Sequence, residues 1–293
     1  MSAPARLREL LRGGGIVRAP GVYDGISARL VEQAGFQAGY VTGGGAAVSM
    51  IGHPDLGLLT MTEMVTHCRQ LVGAVDIPLI ADADTGYGNA LNVARTVREY
   101  ERAGIAGLHM EDQVFPKRCG HLPNKEVIPT DEMVAKIKAA VDARLDSDFV
   151  IIARTDARGP LGIEEAIERA NRYAQAGADV LFVEAPQSLA EVKRIAAEVK
   201  APLLVNMIAK SDTPPVSIKE LDALGYKVAI YPMVAIAAAY HGIRNTLQHL
   251  FLEGDDDMGA GNLSPRELFE LVGLNTWLER EARYATSNGE QKA

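Results

Sequence analysis

Short apolar runs alternate along the chain with segments in which apolar residues recur every three or four positions. The runs are almost continuously hydrophobic, which is typical of parallel strands buried on both faces. There are eight of them, at residues 16–19, 38–42, 78–83, 107–110, 149–153, 180–183, 202–205 and 228–231. Ile163–Gln175 shows the intervening pattern, because Ile163, Ala166 and Ala170 fall on one helical face. The alternation predicts an α/β fold.

A weak internal repeat makes this prediction more specific. Four helix-like segments end in a glycine a few residues before the next apolar run, namely Gly35, Gly104, Gly177 and Gly225. Glycine is a common residue where a helix stops. Eight such strands in roughly 230 residues match a (β/α)8 TIM barrel. A doubly wound open sheet is the alternative, but no Gly-x-Gly-x-x-Gly follows the first run, so a dinucleotide site is not indicated.

The C-terminal part of the chain has a different pattern. Residues 1–252 contain all eight runs and are predicted to form the catalytic barrel domain. Residues 253–262 are polar and glycine-rich, which is typical of a linker. The stretch 265–284, which includes Trp277, predicts one additional helix that packs on another surface, such as a neighbouring subunit. We expect residues 286–293 to form a disordered tail.

Composition excludes several classes of partner. The net charge of -8 and the lack of a long basic run argue against nucleic acid and anionic membrane surfaces. No apolar stretch approaches the roughly 18 residues of a membrane span, and the N-terminal residues lack a signal-peptide core. The two cysteines, Cys68 and Cys119, argue against a disulfide scaffold and fit a reducing cytoplasm.

Polar side chains follow the third to seventh apolar runs, at the point where each predicted strand ends. They are Asp82 and Asp84, Glu111 and Asp112, Arg154, Glu184, and Asn206. In a barrel the carboxyl ends of all strands lie on one rim, and active sites are found there. A polar residue after a single strand is also explained as the point where that strand ends, but five successive cases indicate a functional mouth.

The acids of this rim suggest a metal. Asp82 and Asp84 are two residues apart and would leave one face of an extended segment. Several carboxylates without sulfur or nitrogen ligands suit Mg²⁺ or Mn²⁺. Asp55 is a further rim acid, although a solvated loop pair also explains an Asp-x-Asp. The turn 42–45 (Thr-Gly-Gly-Gly) offers backbone N–H groups to a carboxylate, or is a plain glycine turn.

Cys119 has neighbours that are unusual for a buried structural cysteine. It lies in the run Lys117-Arg118-Cys119-Gly120-His121. These cations are expected to lower the pKa of the thiol, which would let it exchange a proton near neutrality. Cys68 lies on a helix-like segment and is interpreted as structural.

Four motifs together resemble one known group of enzymes. They are Lys-Arg-Cys-Gly-His at 117–121, Leu-His-Met-Glu-Asp-Gln at 108–113, Asp-Ala-Asp-Thr-Gly-Tyr-Gly at 82–88 and Ala-Arg-Thr-Asp-Ala at 153–157. With them the chain resembles the isocitrate lyase/phosphoenolpyruvate mutase superfamily over nearly its whole length, and the cysteine motif resembles that of the carbon–carbon lyase branch. The resemblance implies a (β/α)8 barrel, Mg²⁺, a C-terminal helix exchanged between paired subunits, and a homotetramer.

The resemblance also implies a role for each candidate residue. On the metal side it implies Asp84 as a direct ligand, with Asp55, Asp82 and Glu111 acting partly through waters. The implied substrate-binding residues are Thr42, Gly43, Gly44, Gly120, Arg154, Glu184, Asn206, Thr213 and Pro214. Arg154 would clamp a carboxylate with its bidentate fork. The implied catalytic residues are Cys119 as general acid on a mobile loop, Lys117 and His121 tuning it, Arg118, Glu111, and Tyr40 at the substrate hydroxyl.

The activity implied by the resemblance is cleavage of the C2–C3 bond of a 2-hydroxy di- or tricarboxylate, giving pyruvate or another 2-keto acid. An arginine that follows the eighth strand in the methylisocitrate lyases is replaced here by Ala237, which favours a smaller 2-alkylmalate over a tricarboxylate. Three alternatives remain: an oxaloacetate hydrolase or decarboxylase, a carboxyphosphonoenolpyruvate-type phosphonomutase, and a non-catalytic metabolite-binding barrel.

Overall fold

A computed structural model describes residues 1–257 and 262–285 of the chain. The predicted tail at 286–293 and part of the predicted linker lie outside the described residues. By its contacts the chain divides into two compact units, Met1–Ala238 and Ala239–Ala293. The boundary falls within the helix Val234–Glu253, before residue 252, where the sequence predicts the end of the barrel domain. The functional division into a catalytic domain and a C-terminal segment stays a prediction.

The first unit is built on a closed barrel of eight parallel strands, in which each strand pairs with its neighbours in sequence and the eighth pairs with the first. The strands are β1 Val17–Val22, β2 Gly39–Val41, β3 Leu79–Asp82, β4 Gly107–Glu111, β5 Val150–Thr155, β6 Val180–Val183, β7 Leu203–Asn206 and β8 Tyr226–Tyr231. Each coincides with a predicted run to within a few residues. The predicted (β/α)8 barrel is therefore confirmed, and the open sheet is excluded.

Helices precede, connect and follow these strands. They are α1 Ala3–Arg12, α2 Gly25–Gln33, α3 Gly43–Ala46, α4 Met61–Val72, α5 Ala90–Arg102, α6 Thr130–Ala143, α7 Arg158–Leu161, α8 Ile163–Gln175, α9 Leu189–Glu198, α10 Ile218–Ala223 and α11 Val234–Glu253. A π-helical turn, Ala47–Ile51, follows α3. The four predicted glycine stops all have positive φ, as at Gly104 (φ 90°) and Gly177 (φ 105°), so the chain turns from helix to strand through a left-handed residue.

Alternation along the strands separates the barrel interior from its outer layer. One apolar cluster combines strand residues such as Ile80, Ile152 and Phe182 with Leu7 of α1. Since successive strand residues point to opposite faces, the residues two positions later, Asp82, Arg154 and Glu184, share the interior face at the carboxyl ends. Helix α1 contacts the opposite end, where Arg8 Nε donates to the Asp148 carbonyl oxygen at 2.9 Å. The barrel is thus apolar at the α1 end and polar at the other, here called the mouth.

Asp112 follows β4 but does not face the mouth. Its carboxylate accepts hydrogen bonds from Thr155 Oγ1 and Tyr173 OH, both at 2.7 Å, and from the Asp156 N–H at 2.8 Å. Arg169 Nη1 lies 3.1 Å from the same carboxylate. The grouping of Asp112 with the rim residues was therefore wrong, because alternation turns it outward, where it joins β4, β5 and α8.

The second unit contains most of α11, from residue 239 on, and two short helices, α12 Pro265–Leu271 and α13 Leu274–Tyr284. The prediction of one helix over 265–284 was wrong, since Gly273 has a φ of 93° and interrupts it. Ser264 begins α12 with a capping box to Glu267. Among the described residues, no helix combines the length and apolar character needed to cross a membrane.

Candidate active site

Two rim acids converge on one lysine. Lys117 is only 3% exposed. Its Nζ forms an ion pair with Asp55 and lies 2.7 Å from Asp84 Oδ1. β3 ends at Asp82, and Asp84 adopts a left-handed conformation (φ 46°) with its N–H donating to Asp82 Oδ1 at 2.9 Å. The expectation that an extended strand directs both acids was therefore wrong, but the tight turn still brings both to the mouth.

A buried hydrogen-bonded group surrounds Asp82. Tyr40 OH lies 2.6 Å from His109 Nε2 and 3.3 Å from Asp82 Oδ2. Burial raises the pKa of Tyr40 well above its usual value, so the phenol stays protonated. Burial would also raise the pKa of Asp82, but His109, Lys117 and Arg154 lower it to about 2. Because burial lowers the pKa of His109 itself, Lys117 and Arg154 are the charges that keep Asp82 ionised near neutral pH.

Two other acids on this side of the mouth, Asp84 and Glu111, have raised pKa values, in contrast to Asp82. Burial raises the pKa of Asp84 to about 6, with Asp82 and Asp55 adding to the rise against the lowering by Lys117. Burial raises the pKa of Glu111 well above its ordinary value. The neighbouring carboxylates more than offset burial at Lys117 and raise the pKa of its ammonium. The mouth therefore contains acids of different basicity beside a permanent cation.

Arg154 is held by the carboxylate of Asp156, which is not among the predicted site residues. Its Nε and Nη2 donate to the two oxygens of Asp156 at 2.9 and 3.0 Å. Its Nη1 lies 3.1 Å from Glu111 and 3.6 Å from Glu184. Asp156 takes the Nε/Nη2 side of the guanidinium, so Nη1 is the nitrogen directed toward the other acids, and the predicted carboxylate clamp stays a prediction for this end of the side chain.

Three predicted residues lie together where β6 and β7 reach the mouth, namely His121, Glu184 and Asn206. His121 Nε2 lies 3.3 Å from Glu184 Oε1 and 3.3 Å from Asn206 Nδ2. Asn206 Nδ2 also donates to Glu184 Oε2 at 3.3 Å. Two buried polar atoms of this group, His121 Nδ1 and Asn206 Oδ1, have no hydrogen-bond partner within the described residues, and neither has Thr213 Oγ1 on the loop after β7. Unpaired buried polar groups are rare in native proteins, so these atoms are candidates for contact with a polar ligand.

The predicted cysteine motif lies on the connection between β4 and α6, here called the cysteine loop (residues 113–127). Gln113 and Val127 pair as an antiparallel bridge at its base. The Gln113 side chain accepts from the Arg118 N–H at 2.9 Å and donates to the Arg118 carbonyl and to Glu111 Oε1, both at 2.8 Å. The Arg118 side chain itself is exposed, so the structure does not bring its guanidinium into the mouth as predicted.

Cys119 is partly buried on this loop, between Lys117 and His121. The prediction that neighbouring cations lower the pKa of its thiol was wrong. Burial raises the pKa above its ordinary value of 9.0, and Asp55 and Glu184 oppose the lowering effects of the His121 N–H and Arg154. The group is therefore a neutral thiol near pH 7, which is the form that donates a proton. Cys68 is fully buried on α4, in agreement with its structural interpretation.

The glycine-rich turn after β2 is the start of a short helix. Thr42 caps α3, and its Oγ1 accepts from the Gly45 N–H at 3.2 Å. A Cβ at Gly43 would lie 2.5 Å from Asp82 Oδ2, and one at Gly44 would lie 3.7 Å from Asp55. The predicted cradle therefore borders the acids, with glycine needed at position 43 for close approach.

One family model matches most of the sequence. Residues 7–251 match the model described as "Phosphoenolpyruvate phosphomutase". The chain belongs to this family. It is 47% identical over 290 residues to 2,3-dimethylmalate lyase of Eubacterium barkeri, covering 98% of this chain and 99% of the relative. It is 44% identical to 2-methylisocitrate lyase of Aeropyrum pernix, covering 94% and 89%.

Solved structures of phosphoenolpyruvate phosphomutase relatives have the same fold. A 2,3-dimethylmalate lyase described as a PEP mutase/isocitrate lyase superfamily member matches with a TM-score of 0.93 and 38% identity, covering 100% of this chain and 99% of that one. Oxaloacetate acetylhydrolase with 3,3-difluorooxalacetate matches at 0.93 and 40%, covering 96% and 97%. Phosphonopyruvate hydrolase with oxalate and Mg²⁺ matches at 0.88 and 33%, covering 97% and 99%.

These comparisons confirm two predictions about the chain. The superfamily resemblance is confirmed by the family model and by the structural match. The chain is an enzyme of the lyase class, as both curated relatives are. Among the predicted site residues, the structure groups Asp55, Asp82, Asp84 and Lys117 on one side of the mouth. It joins Arg154, Glu184, Asn206 and His121 in a second group through Glu184 and Asn206. Buried Thr213 and half-buried Pro214 lie on the loop after β7.

The donor set of this family member fits a hard divalent cation. Within residues 1–257 and 262–285, no three His, Cys, Asp or Glu side chains are arranged to hold a metal by themselves. Asp55 and Asp84 nevertheless both pair with the Lys117 ammonium, so a cation bound by these carboxylates would share them with Lys117. Mg²⁺ commonly takes one or two carboxylates and fills its other positions with water and substrate oxygens. Asp84 and Asp55 are therefore the residues that would bind it.

Four residues of the site were missed in the sequence. They are His109, Gln113, Lys125 and Asp156. The signal for two of them was strand alternation, since His109 precedes Glu111 by two positions and Asp156 follows Arg154 by two. Lys125 offered no such signal, because loop geometry decides where its ammonium lies.

Gly120 tolerates no side chain in this conformation. A Cβ there would lie 2.5 Å from Arg154 Nη2 and 2.7 Å from Glu184 Cγ, both in buried side chains. Gly120→Ala is expected to lift the cysteine loop from the mouth and lower kcat at least about tenfold, since small misplacement of a catalytic group is costly. Steady-state kinetics will measure this. Gly25→Ala is the matched control, because its Cβ meets nothing within 4 Å; equal kinetics in both variants would contradict the prediction.

Proposed function

We propose that this lyase cleaves the C2–C3 bond of a 2-alkylmalate, of which 2,3-dimethylmalate is the model, to a 2-keto acid, which is pyruvate when the alkyl group is methyl, and a carboxylate. The observation that carries the proposal is Cys119, a neutral thiol on a loop anchored to the mouth at Lys117 and His121. A thiol over an acid-lined mouth is suited to delivering a proton to a carbanion formed there. The relationship to 2,3-dimethylmalate lyase at 47% identity supports the choice of substrate.

The chain's residues account for each part of the reaction. Arg154 Nη1 and the unpartnered Thr213 hydroxyl bind and orient the substrate carboxylates, whereas the unpartnered Asn206 Oδ1 accepts a hydrogen bond from a donor group of the substrate. The proton of the 2-hydroxyl passes to a rim carboxylate, the C2–C3 bond breaks, and C2 becomes the carbonyl of the keto acid. The electron pair remains on C3, which takes the proton of Cys119. The seated cysteine loop excludes water from this carbanion.

We propose Mg²⁺ as the cofactor, with Mn²⁺ as a substitute. Asp84 and Asp55 would hold it, with Asp82 and Glu111 acting through waters. When bound it would act as a Lewis acid that stabilises negative charge on oxygen as the bond breaks. Phosphonopyruvate hydrolase, a structural relative, is known with oxalate and Mg²⁺, which supports the assignment.

A substrate comparison tests the proposed function. Purified protein with Mg²⁺ is supplied with 2,3-dimethylmalate or 2-methylisocitrate, and pyruvate release is followed. We expect faster cleavage of the dimethylmalate, because Ala237 provides no cation for a third carboxylate. Faster cleavage of 2-methylisocitrate would overturn the substrate assignment, and no pyruvate from any 2-hydroxy acid would overturn the lyase reaction and support a metabolite-binding barrel.

The pH dependence of turnover should report on the thiol. Because burial raises the pKa of Cys119 above 9.0, its acid form persists through the neutral range and is lost only on the alkaline side. We therefore expect kcat to show no loss assignable to this thiol below about pH 9 and to fall as pH rises further. A pH–kcat profile checks this. An alkaline limb centred near pH 7 would contradict the neutral-thiol assignment.

A second candidate reaction is hydrolysis of oxaloacetate. It is favoured by the match to oxaloacetate acetylhydrolase at 40% identity. Formation of acetate and oxalate from oxaloacetate would identify this activity, whereas pyruvate and CO₂ would identify a decarboxylase. A phosphonomutase is distinguished by the formation of a carbon–phosphorus bond, which phosphorus NMR detects.

We propose that the enzyme works as a homotetramer with exchanged C-terminal helices in a reducing cytoplasm. No residue of α11, α12 or α13 is buried. Phe251 is 88% exposed and Trp277 is 64% exposed, which is unusual for large apolar side chains without a partner. Light scattering coupled to gel filtration tests the assembly, and a monomer at micromolar concentration would contradict it.

A further inference from the structure

Lys125 connects the cysteine loop to the rigid part of the barrel. Its Nζ donates to the Gly120 carbonyl oxygen at 2.5 Å and to Asp156 Oδ1 at 2.9 Å. The lysine is 9% exposed and Asp156 is fully buried. A buried ammonium is retained only where such partners compensate its desolvation. This contact therefore contributes to the position of the loop more than an exposed ion pair would.

Asp156 is shared between this lysine and the arginine of the mouth. Asp156 Oδ1 accepts from both Lys125 Nζ and Arg154 Nη2, and Oδ2 accepts from Arg154 Nε. The Asp156 N–H donates to Asp112, which belongs to the buried network between β5 and α8. Asp156, whose backbone is fixed by Asp112, thus orients Arg154 and also binds Lys125 of the cysteine loop.

The same geometry brings the loop backbone against the arginine. Gly120, whose carbonyl accepts from Lys125, lies so close to Arg154 Nη2 that a Cβ would be 2.5 Å away. Gly120 is next to Cys119 in the chain. A movement that breaks the Lys125 contact to the Gly120 carbonyl oxygen therefore frees the backbone next to the thiol.

We propose that Lys125 is a positioning residue that locks the cysteine loop on the Asp156–Arg154 pair and thereby sets the position of Cys119. The lock rests on the proposed function only for its catalytic consequence, since the contacts exist without substrate. Coupling between ligand binding and loop conformation is reciprocal. A ligand that fixes Arg154 in this orientation therefore also favours the conformation in which the cysteine loop contacts the mouth. Arg154 thereby couples substrate binding to proton delivery.

Alkylation of the thiol tests the lock without any substrate. Iodoacetamide is reacted with the full-length protein at pH 8, and peptide mass spectrometry separates Cys119 from buried Cys68. Lys125→Met is expected to raise the Cys119 rate at least about tenfold, the effect of losing hydrogen bonds from a charged group. Hydrogen exchange should rise in residues 115–125 and not in the barrel strands. Lys138→Met, an exposed lysine on α6, is the matched control and should behave as wild type.

Further variants separate the lock from a general structural effect. Lys125→Arg keeps the charge and both acceptors and is expected to restore slow alkylation. Lys125→Gln gives the same test if the methionine variant does not fold.

In the lyase assay, kcat should fall about tenfold in Lys125→Met with a smaller change in KM, as expected for a misplaced proton donor. An alkylation rate within twofold of wild type in folded Lys125→Met, or an arginine variant like the methionine variant, would overturn the proposal. If wild type cleaves no substrate but alkylation responds as described, the lock stands and the proposed function fails.

Discussion

Cys119→Ser is expected to lower kcat by about two to four orders of magnitude, the range for loss of a general acid. Serine is close to cysteine in size, so the loop contacts of Lys117 and His121 are retained. Its hydroxyl is a far weaker acid than the thiol. Binding of oxalate with Mg²⁺, measured by calorimetry, should survive because the residues around the acids are unchanged.

Cys68→Ala is the control for the cysteine prediction. Cys68 is fully buried on α4 and contributes to the apolar core around the barrel. Its replacement should lower thermal stability and leave kcat unaltered. A serine variant at 119 with unchanged kcat would remove this residue from the mechanism, and loss of oxalate binding would show that the variant disturbs the mouth itself.

Arg154→Met is expected to lower the free energy of unfolding at pH 8 by about 3–5 kcal/mol, the cost of leaving buried charge without its partner. The variant removes the cation that faces Asp156, Glu111 and Glu184, all of them fully or almost fully buried. Methionine fills part of the volume, so the loss is electrostatic in origin. Urea denaturation at several pH values measures it.

The sign of the pH dependence follows from these carboxyl groups. In the wild type the pKa of Asp156 is lowered by Arg154 and Lys125 against burial, so it stabilises the fold above its unfolded pKa of about 3.9 and this contribution is lost as pH falls through its folded value. Without Arg154 the burial of Asp156 is compensated chiefly by Lys125 and that of Glu111 by Lys117, so both pKa values rise. The variant's deficit should therefore be largest at pH 8 and shrink toward pH 5.

A surface arginine provides the comparison for this prediction. Arg102 lies 2.9 Å from Glu99, and its side chain is 60% exposed. Arg102→Met should change the free energy of unfolding by about 1 kcal/mol or less, as is usual for exposed pairs. A deficit in Arg154→Met that is equally small, or that grows as pH falls, would contradict the electrostatic account.

The fold could be predicted because its signals are local. Each strand is a short apolar run, and Gly104 and Gly177 mark helix ends by a backbone conformation that glycine adopts readily. The rim acids were also found, since strand ends share one side of a barrel. The break at Gly273 was missed because a single glycine within a helical pattern does not distinguish a stop from a tolerated position.

Electrostatics of the site could not be read from the sequence in the same way. Lys117 and His121 flank Cys119 in the chain, but the thiol responds to burial more than to these neighbours. Arg154 is predicted to bind a substrate carboxylate, but the sequence does not show that its Nε and Nη2 pair with Asp156, two positions later. The partner of Lys125 lies 31 positions away, and only the folded loop shows it. Long-range pairing and desolvation are properties of the assembled mouth.

Reactive and supporting residues follow each other directly at the end of β4, where Glu111, its last residue, contacts Arg154 and the next residue, Asp112, contacts Tyr173. A deletion or insertion of one residue within this strand would exchange the two sets. Length changes in the cysteine loop leave both sets in register. Evolutionary divergence in substrate choice is therefore expected through indels outside the strands, and libraries for new activities should keep strand length fixed and vary the loop.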